Sequence, residues 1–494
     1  MMRQLPRISK VVAAGFVSLL IIAGCSNNPE SSSGTGGSNP DTSAMGFQPT
    51  KVDSLNPHIK ADYTSIAAFS DHNQWGSHNV HDPSVIKVNG EYYMFTTDVA
   101  YGDNLDKVGI QVRKSSDLVH WQFIGWAFDN GIPPKELQFM KNHQPGYQQK
   151  SIWAPFIMKV GNQFRLYYAV PGNNGLKLAA IGLATSTSIT GPWNDKGIVI
   201  STTKEDPINS IDPTVIVNRN NGSYWMAYGS YYAGIYIVQL NPKTGMLLHS
   251  GDTGKRIAYR TNNNHSIEGS DIRYNPDTKK YYLFVSYGWL EDTYNVRVGR
   301  ADQPQGPYLD FNGRNMADKA DNLPRITAEY SFDNGPGWQG IGGNCTLKVG
   351  NQYYFISQAR PHFNKYLMDL HVRRMLWLPD GWPVVSPERY DAVPQPSITK
   401  KKLEGNWQYI ELSSTSLLNK PIHIQLMPDG SVKGGGANGS WSYQNNILRI
   451  NWNNGKNTVQ AKAFAAWDWE NNVYTLVFTG LNSNGIEVWG KKTG

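Results

Sequence analysis

Five segments of the chain repeat one pattern: an apolar run, a short turn, then an aromatic run. They start at Asp82-Pro83-Ser84-Val85, Ala154-Pro155-Phe156-Ile157, Asp212-Pro213-Thr214-Val215, Ser270-Asp271-Ile272-Arg273 and Asn344-Cys345-Thr346-Leu347. Their second runs are dense in aromatics, as in Glu91-Tyr92-Tyr93-Met94-Phe95 and Gln352-Tyr353-Tyr354-Phe355. Aromatic and β-branched residues suit a pleated, half-buried strand. The intervening turns, such as Asn89-Gly90 and Gly161-Asn162, are hairpin chemistry. A third alternating run follows each pair, for example Gly109-Ile110-Gln111-Val112 and Asn295-Val296-Arg297-Val298. A fourth is expected near Trp121, Trp193 and Tyr308. No single unit of this size buries its own faces, so the units must pack against one another. Five four-stranded antiparallel units predict an all-β chain built as a five-bladed β-propeller.

The propeller is expected over residues 51–398. After Pro394-Gln395-Pro396 the pattern shortens to strands such as Ile422-His423-Ile424-Gln425-Leu426 and Tyr474-Thr475-Leu476-Val477-Phe478. Residues 399–494 therefore read as a small antiparallel β-barrel domain. Its tryptophans either fill a barrel core or bind polysaccharide, and core filling is favoured.

The first 25 residues read as a targeting segment. Arg3, Arg7 and Lys10 precede an apolar run from Val11 to Ile22, which is too short to span a bilayer comfortably. Ala23-Gly24-Cys25 looks like a bacterial lipobox, which makes Cys25 the expected lipidation site. Residues 26–50, rich in Ser, Gly, Asn and Pro, are expected to be a flexible linker. The chain is thus expected to be exported and lipid-anchored, to meet a membrane only through that anchor, and to be a monomer. Only Cys345 remains in the mature body, which excludes an intrachain disulfide there. Of the net charge of +7, three charges lie in the leader, and no basic cluster marks a nucleic-acid binder.

Topology converts the repeat into a site. First strands line a propeller channel, so Asp82, Asp212 and Glu268, each at a first-strand start, are expected at one mouth. Antiparallel pairing brings the second-strand ends to the same rim. Those ends carry Asp98, Gly172-Asn173, Gly229-Ser230-Tyr231, Tyr287-Gly288-Trp289 and Arg360. Three carboxyls among Trp and Tyr fit glycoside cleavage, which needs one carboxyl held protonated for the leaving oxygen and one ionised to activate water. An Asp-Pro at a strand entrance is often only turn chemistry, but three carboxyls at matching places in different repeats are not explained by turns.

The motifs His81-Asp82-Pro83-Ser84, Ser151-Ile152-Trp153-Ala154-Pro155, Asn209-Ser210-Ile211-Asp212-Pro213, Ser266-Ile267-Glu268-Gly269-Ser270 and Asp380-Gly381-Trp382-Pro383 resemble family 43 of the glycoside hydrolases, and within it the endo-1,5-α-L-arabinanases. The resemblance covers about residues 70–395. It implies an inverting hydrolase acting on arabinan and arabino-oligosaccharides, with Asp82 as general base, Glu268 as general acid and Asp212 as modulator of the acid's pKa. It also implies substrate contacts at Trp153, Asn209, Ser210, Ile211, Gly229, Ser230, Asn264 and Ser266. Many such arabinanases hold calcium or a similar cation in the channel through a His. Here Gly343 stands at that place, with His362 and His371 as possible substitutes, so the cation requirement is open. Two alternatives stand beside this reading: an exo-acting arabinofuranosidase or β-xylosidase of the same fold, and a non-catalytic sugar-binding lipoprotein.

Overall fold

The computed structural model describes residues 47–59, 72–101, 107–148, 151–173, 175–260, 266–318, 321–436 and 438–494. The expected leader, Cys25 and Asn264 lie outside them.

Alternating apolar and polar residues fold into five antiparallel sheets in chain order. Blade one comprises Ser84–Val88, Glu91–Thr96, Gln111–Ser115 and Gln122–Trp126. Blade two comprises Trp153–Val160, Gln163–Gly172, Gly175–Ser186 and Asn194–Thr202. Thr214–Val217, Tyr224–Tyr228, Ile235–Leu240 and Lys255–Ala258 form blade three. Blade four has Ile267–Asn275, Lys280–Tyr287 and Asn295–Ala301, and blade five has Trp338–Val349, Gln352–Pro361, Asp369–Trp377 and Pro383–Val385. The first strand of every blade touches the first strands of both neighbours, which closes a ring around a central channel. The segment before blade one helps to seal that ring. Asn79 N–H donates to Met368 O (2.8 Å), Leu370 N–H donates to Ser77 O (2.8 Å), and His78 Nδ1 lies 2.9 Å from Asp369 Oδ1.

One blade departs from the expected four strands. In blade four the expected outer strand at Tyr308 shrinks to an isolated bridge between Arg300 and Leu309. Pro304 and Pro307 have no N–H to donate, so this stretch cannot sustain a ladder.

The C-terminal strands, Gly405–Glu411 through Glu487–Lys492, form a closed eight-stranded barrel, with Trp407 of the first paired to Lys492 of the last. Trp407, Trp441, Trp452, Trp467 and Trp489 are all buried, so they serve packing and do not present a polysaccharide-binding face. The barrel and propeller share one apolar core. Val296, Ile326, Tyr330 and Trp338 pack with Ile410, Leu481 and Trp489. Polar clamps reinforce it: Arg325 Nε donates to Leu412 O (2.7 Å) and Val385 N–H donates to Glu487 Oε1 (2.7 Å). The fully buried Lys491 ammonium contacts Glu388 (2.8 Å), Asp468 (3.0 Å) and Glu470 (2.5 Å). Burial opposes its charge, but the three carboxylates outweigh burial and keep it protonated.

The expected linker ends earlier than residue 50. Thr50 pairs with Tyr474, and Phe47 and Leu55 pack on the barrel core. Two apolar side chains in an otherwise polar stretch are enough to dock it.

Candidate active site

Each inner strand enters the channel through a residue with left-handed backbone. These are Asp82 (φ 48°), Ala154 (39°), Asp212 (56°), Gly269 (60°) and Gly343 (55°). The five residues, with the two that follow each, line a single cavity in the channel. Left-handed backbone crowds Cβ against the next carbonyl. Aspartate tolerates it better than most residues, and strain of this kind concentrates at functional sites.

Glu268 does not occupy the position equivalent to Asp82 and Asp212, contrary to the sequence expectation. It stands one residue earlier, where blade one has His81 and blade three has Ile211. The same one-residue bulge follows this point in blades two, four and five (Trp153/Phe156, Glu268/Asp271 and Gly342/Cys345), so the strands stay in equivalent register and Glu268 is carried by the residue before the left-handed one. The three carboxyls still meet electrostatically, since each of Asp212 and Glu268 feels the charge of Asp82.

Their environments differ. Burial would raise the Asp82 pKa, but His81, the Thr97 hydroxyl and Arg360 outweigh it, so the carboxyl lies below its ordinary value. Thr97 Oγ1 donates to Asp82 Oδ2 (2.7 Å) and accepts from Ala154 N–H (2.8 Å). His81 Nδ1 stands 2.7 Å from the same carboxylate oxygen. Thr97 thus ties the carboxylate of blade one to the left-handed residue of blade two.

Glu268 is only 9% exposed. Burial, with a contribution from Asp82, raises its pKa to about 7, against a hydrogen bond from Tyr294 that favours the charged form. The Tyr294 hydroxyl donates to Oε1, which leaves Oε2 to carry a transferable proton. Asp212 is pushed well above the carboxylate range by burial, then by Glu268 and by Asp82. Gly269 N–H donates to Asp212 Oδ2 (2.9 Å), binding Asp212 to the backbone next to Glu268. The two carboxyls therefore titrate as a pair, whose proton affinities belong to both.

The expected substrate contacts take several places. Asn209 and Ser230 are fully buried and hydrogen-bonded to each other twice: Asn209 Nδ2 donates to Ser230 Oγ and Ser230 N–H donates to Asn209 Oδ1, both at 2.9 Å. Gly229 N–H donates to Ile211 O (2.8 Å). Ser210 N–H donates to Thr202 Oγ1 (3.0 Å). These residues brace the loop that carries Asp212. Ser266 is buried, and its Oγ accepts from Arg260 Nη1 (3.1 Å). Trp153 is half-buried, with Nε1 donating to Ser151 Oγ (2.7 Å).

The residues present do not fit a tightly held channel cation. A Cβ at Gly343 would fall 2.7 Å from Asp82 Oδ1, so that position offers no ligand. His362 is exposed and His371 packs on Trp338, and neither lines the cavity. Asn344, Ser270 Oγ and Thr214 Oγ1 line it without a hydrogen-bond partner in the structure. They are neutral groups, and affinity for a hard cation rises with ligand charge; the carboxylates that line the same cavity, Asp82, Asp212 and Asp271, are already held by Thr97 Oγ1, Gly269 N–H and Thr346 N–H. Among the described residues, the one group of three acidic or histidine ligands close enough to hold a metal is Glu388, Asp468 and Glu470, and Lys491 fills it. Cys345 also lines the cavity, and burial raises its thiol pKa to about 12, which keeps it inert.

Sequence reasoning missed Tyr294, Thr97 and the charge of Arg360 on Asp82. Tyr294 lies just ahead of a third strand with no motif around it. Thr97 directly follows a second strand, and the convergence of second-strand ends on the rim was a usable signal for it.

Comparisons with known proteins establish the family. Residues 75–383 match the model for glycosyl hydrolases family 43, and residues 387–490 match a C-terminal lipocalin-like domain. The extracellular endo-alpha-(1->5)-L-arabinanase of Thermotoga petrophila is 29% identical over 462 residues, covering 83% of this chain and 93% of the relative. The extracellular endo-alpha-(1->5)-L-arabinanase 2 of Bacillus subtilis is 29% identical over 460 residues, covering 84% and 93%. The crystal structure of endo-1,5-alpha-L-arabinanase from Thermotoga petrophila RKU-1 superposes with a TM-score of 0.75 at 28% identity, covering 85% of this chain and 99% of that one. With the family model spanning the whole propeller, the chain belongs to glycosyl hydrolase family 43.

Proposed function

We propose that the protein is an exported hydrolase that cleaves internal α-1,5-L-arabinofuranosidic bonds of arabinan with inversion. The observation that carries the reading is the opposite tuning of two carboxyls at one channel mouth: Asp82 held below its ordinary value and Glu268 raised to about 7. Divergent pKa values assign the base and the acid. Asp82 takes a proton from water as its oxygen bonds to the anomeric carbon. Glu268 gives its proton to the departing glycosidic oxygen as the bond to the leaving sugar breaks. Asp212, tied to Gly269 N–H, fixes the acid's backbone and titrates together with it, so the pair shares its proton affinity. The full-length relatives, which match through the C-terminal domain as well, support the endo-acting arabinanase reading.

The product profile on debranched arabinan, with linear xylan in parallel, tests this. Early release of mixed arabino-oligosaccharides is expected. Arabinose alone would mark an exo-acting enzyme, xylan cleavage would change the substrate class, and binding without products would mark a sugar-binding lipoprotein.

Export accords with the extracellular relatives. Lipidation at Cys25 is the finer proposal. Cys25→Ser should release the protein from the membrane fraction, and an unchanged distribution would refute the anchor.

A further inference from the structure

We propose that Trp289, Phe363 and Tyr366 form an aromatic shelf beside the channel mouth that stacks against arabinan sugars outside the cleavage point. The proposal rests on the arabinan reading and adds a subsite on the side of blades four and five. Trp289 is 48% exposed, Phe363 56% and Tyr366 53%. Every other described Phe, Tyr or Trp is buried or half-buried. The remaining exposed large apolar residues, such as Leu248 and Leu417, are aliphatic. The three exposed aromatic rings thus share two neighbouring loops of one rim.

Their place follows from register. Glu268 pairs with Ser286, three residues before Trp289. Arg360, whose charge acts on Asp82, stands three residues before Phe363. At about 3.3 Å per residue, Trp289 and Phe363 begin within about 10 Å of chain from the level of the catalytic carboxyls, and Tyr366 follows three residues further on in the same loop. The two loops are tied together. Lys365 Nζ lies 2.6 Å from Glu291 Oε2, Arg360 Nη1 donates to Lys365 O (2.6 Å), and Gly340 N–H donates to Asp292 O (2.7 Å). Loops held before the ligand arrives lower the ordering cost of binding.

The chemistry selects the occupant. An exposed ring offers an apolar face that matches the C–H face of a sugar, and Trp and Tyr add a polar edge for hydroxyls. Lys365 is paired with Glu291 and Asp292 stands beside them, so the shelf presents no excess positive charge for an anionic polymer. A neutral glycan emerging from the cleavage site fits both conditions.

The test compares Trp289→Ala, Phe363→Ala/Tyr366→Ala and the triple variant with wild type on long linear arabinan and on arabinotriose. The ratio of kcat/KM on polymer to that on trisaccharide should fall about tenfold in the triple variant, chiefly through KM on polymer. Leu417→Ala, an exposed apolar residue on the barrel, should leave the ratio unchanged. Equal losses on both substrates, or no loss on polymer, would overturn the shelf while leaving arabinan cleavage by the wild type intact. A wild type that fails on arabinan would overturn the substrate reading and the shelf's occupant together.

Discussion

Replacing Tyr294 by Phe removes one hydroxyl and leaves the ring in place, so it isolates the hydrogen bond to Glu268. That bond favours the ionised carboxylate, against burial and the charge of Asp82. A hydrogen bond to a charged group is worth about 1.5–3 kcal/mol. Part of that is recovered by the protonated acid, which still accepts at Oε1, so a differential of about 1.4 kcal/mol, or one pKa unit, is the expected size. The sign is upward. Glu268 should titrate near 8 in the variant instead of about 7 in the wild type. Because the general acid must be protonated, activity is lost as pH rises through this pKa. The basic limb of the kcat/KM profile on linear arabinan should therefore move up by about one unit. The acid limb, set by Asp82, should stay where it is. kcat at the optimum should also fall, since an unanchored Oε1 lets the donor rotate away from the leaving oxygen. A basic limb that stays put or moves down would refute the assignment of Glu268 as the acid whose pKa Tyr294 restrains.

Glu268→Gln should cost about 10²–10⁴-fold in turnover of arabinan. It should retain most activity on an aryl arabinofuranoside whose leaving group needs no proton, which comparison of the two substrates reads directly. Asp82→Asn should lose both activities, because water activation is needed for either. Prolonged chelator treatment should change activity by less than about twofold, because Gly343 supplies no side-chain ligand and the carboxylates of the cavity are already held by protein donors; a large loss restored by calcium would show that the channel binds a cation that its side chains do not predict.

The propeller was legible because strand alternation and hairpin turns are local and repeat five times. What was illegible has specific causes. The missing fourth strand of blade four turns on two prolines in a stretch otherwise suited to pairing. The one-residue offset of Glu268 reflects which residue of the strand entrance is left-handed, Gly269 here but Asp82 and Asp212 elsewhere, and backbone conformation is invisible to motif alignment. The site's carboxyls could be named from Asp82-Pro83, Asp212-Pro213 and the run around Glu268. Their tuning could not, since Tyr294, Thr97 and Arg360 reach them from distant strands. Docking of Phe47 and Leu55 on the barrel was hidden by polar neighbours. The barrel tryptophans were compatible with two roles until their burial decided for packing.

The central claim is that Asp82 activates water on one face of the sugar while Glu268 protonates the leaving group on the other. Proton NMR of the reducing ends released in the first minutes of arabinan hydrolysis tests it most directly. The account predicts that the new reducing ends appear first in the β configuration and reach the α form only by mutarotation. Initial appearance of the α anomer would mean a covalent glycosyl-enzyme intermediate and would contradict the roles given to both carboxyls.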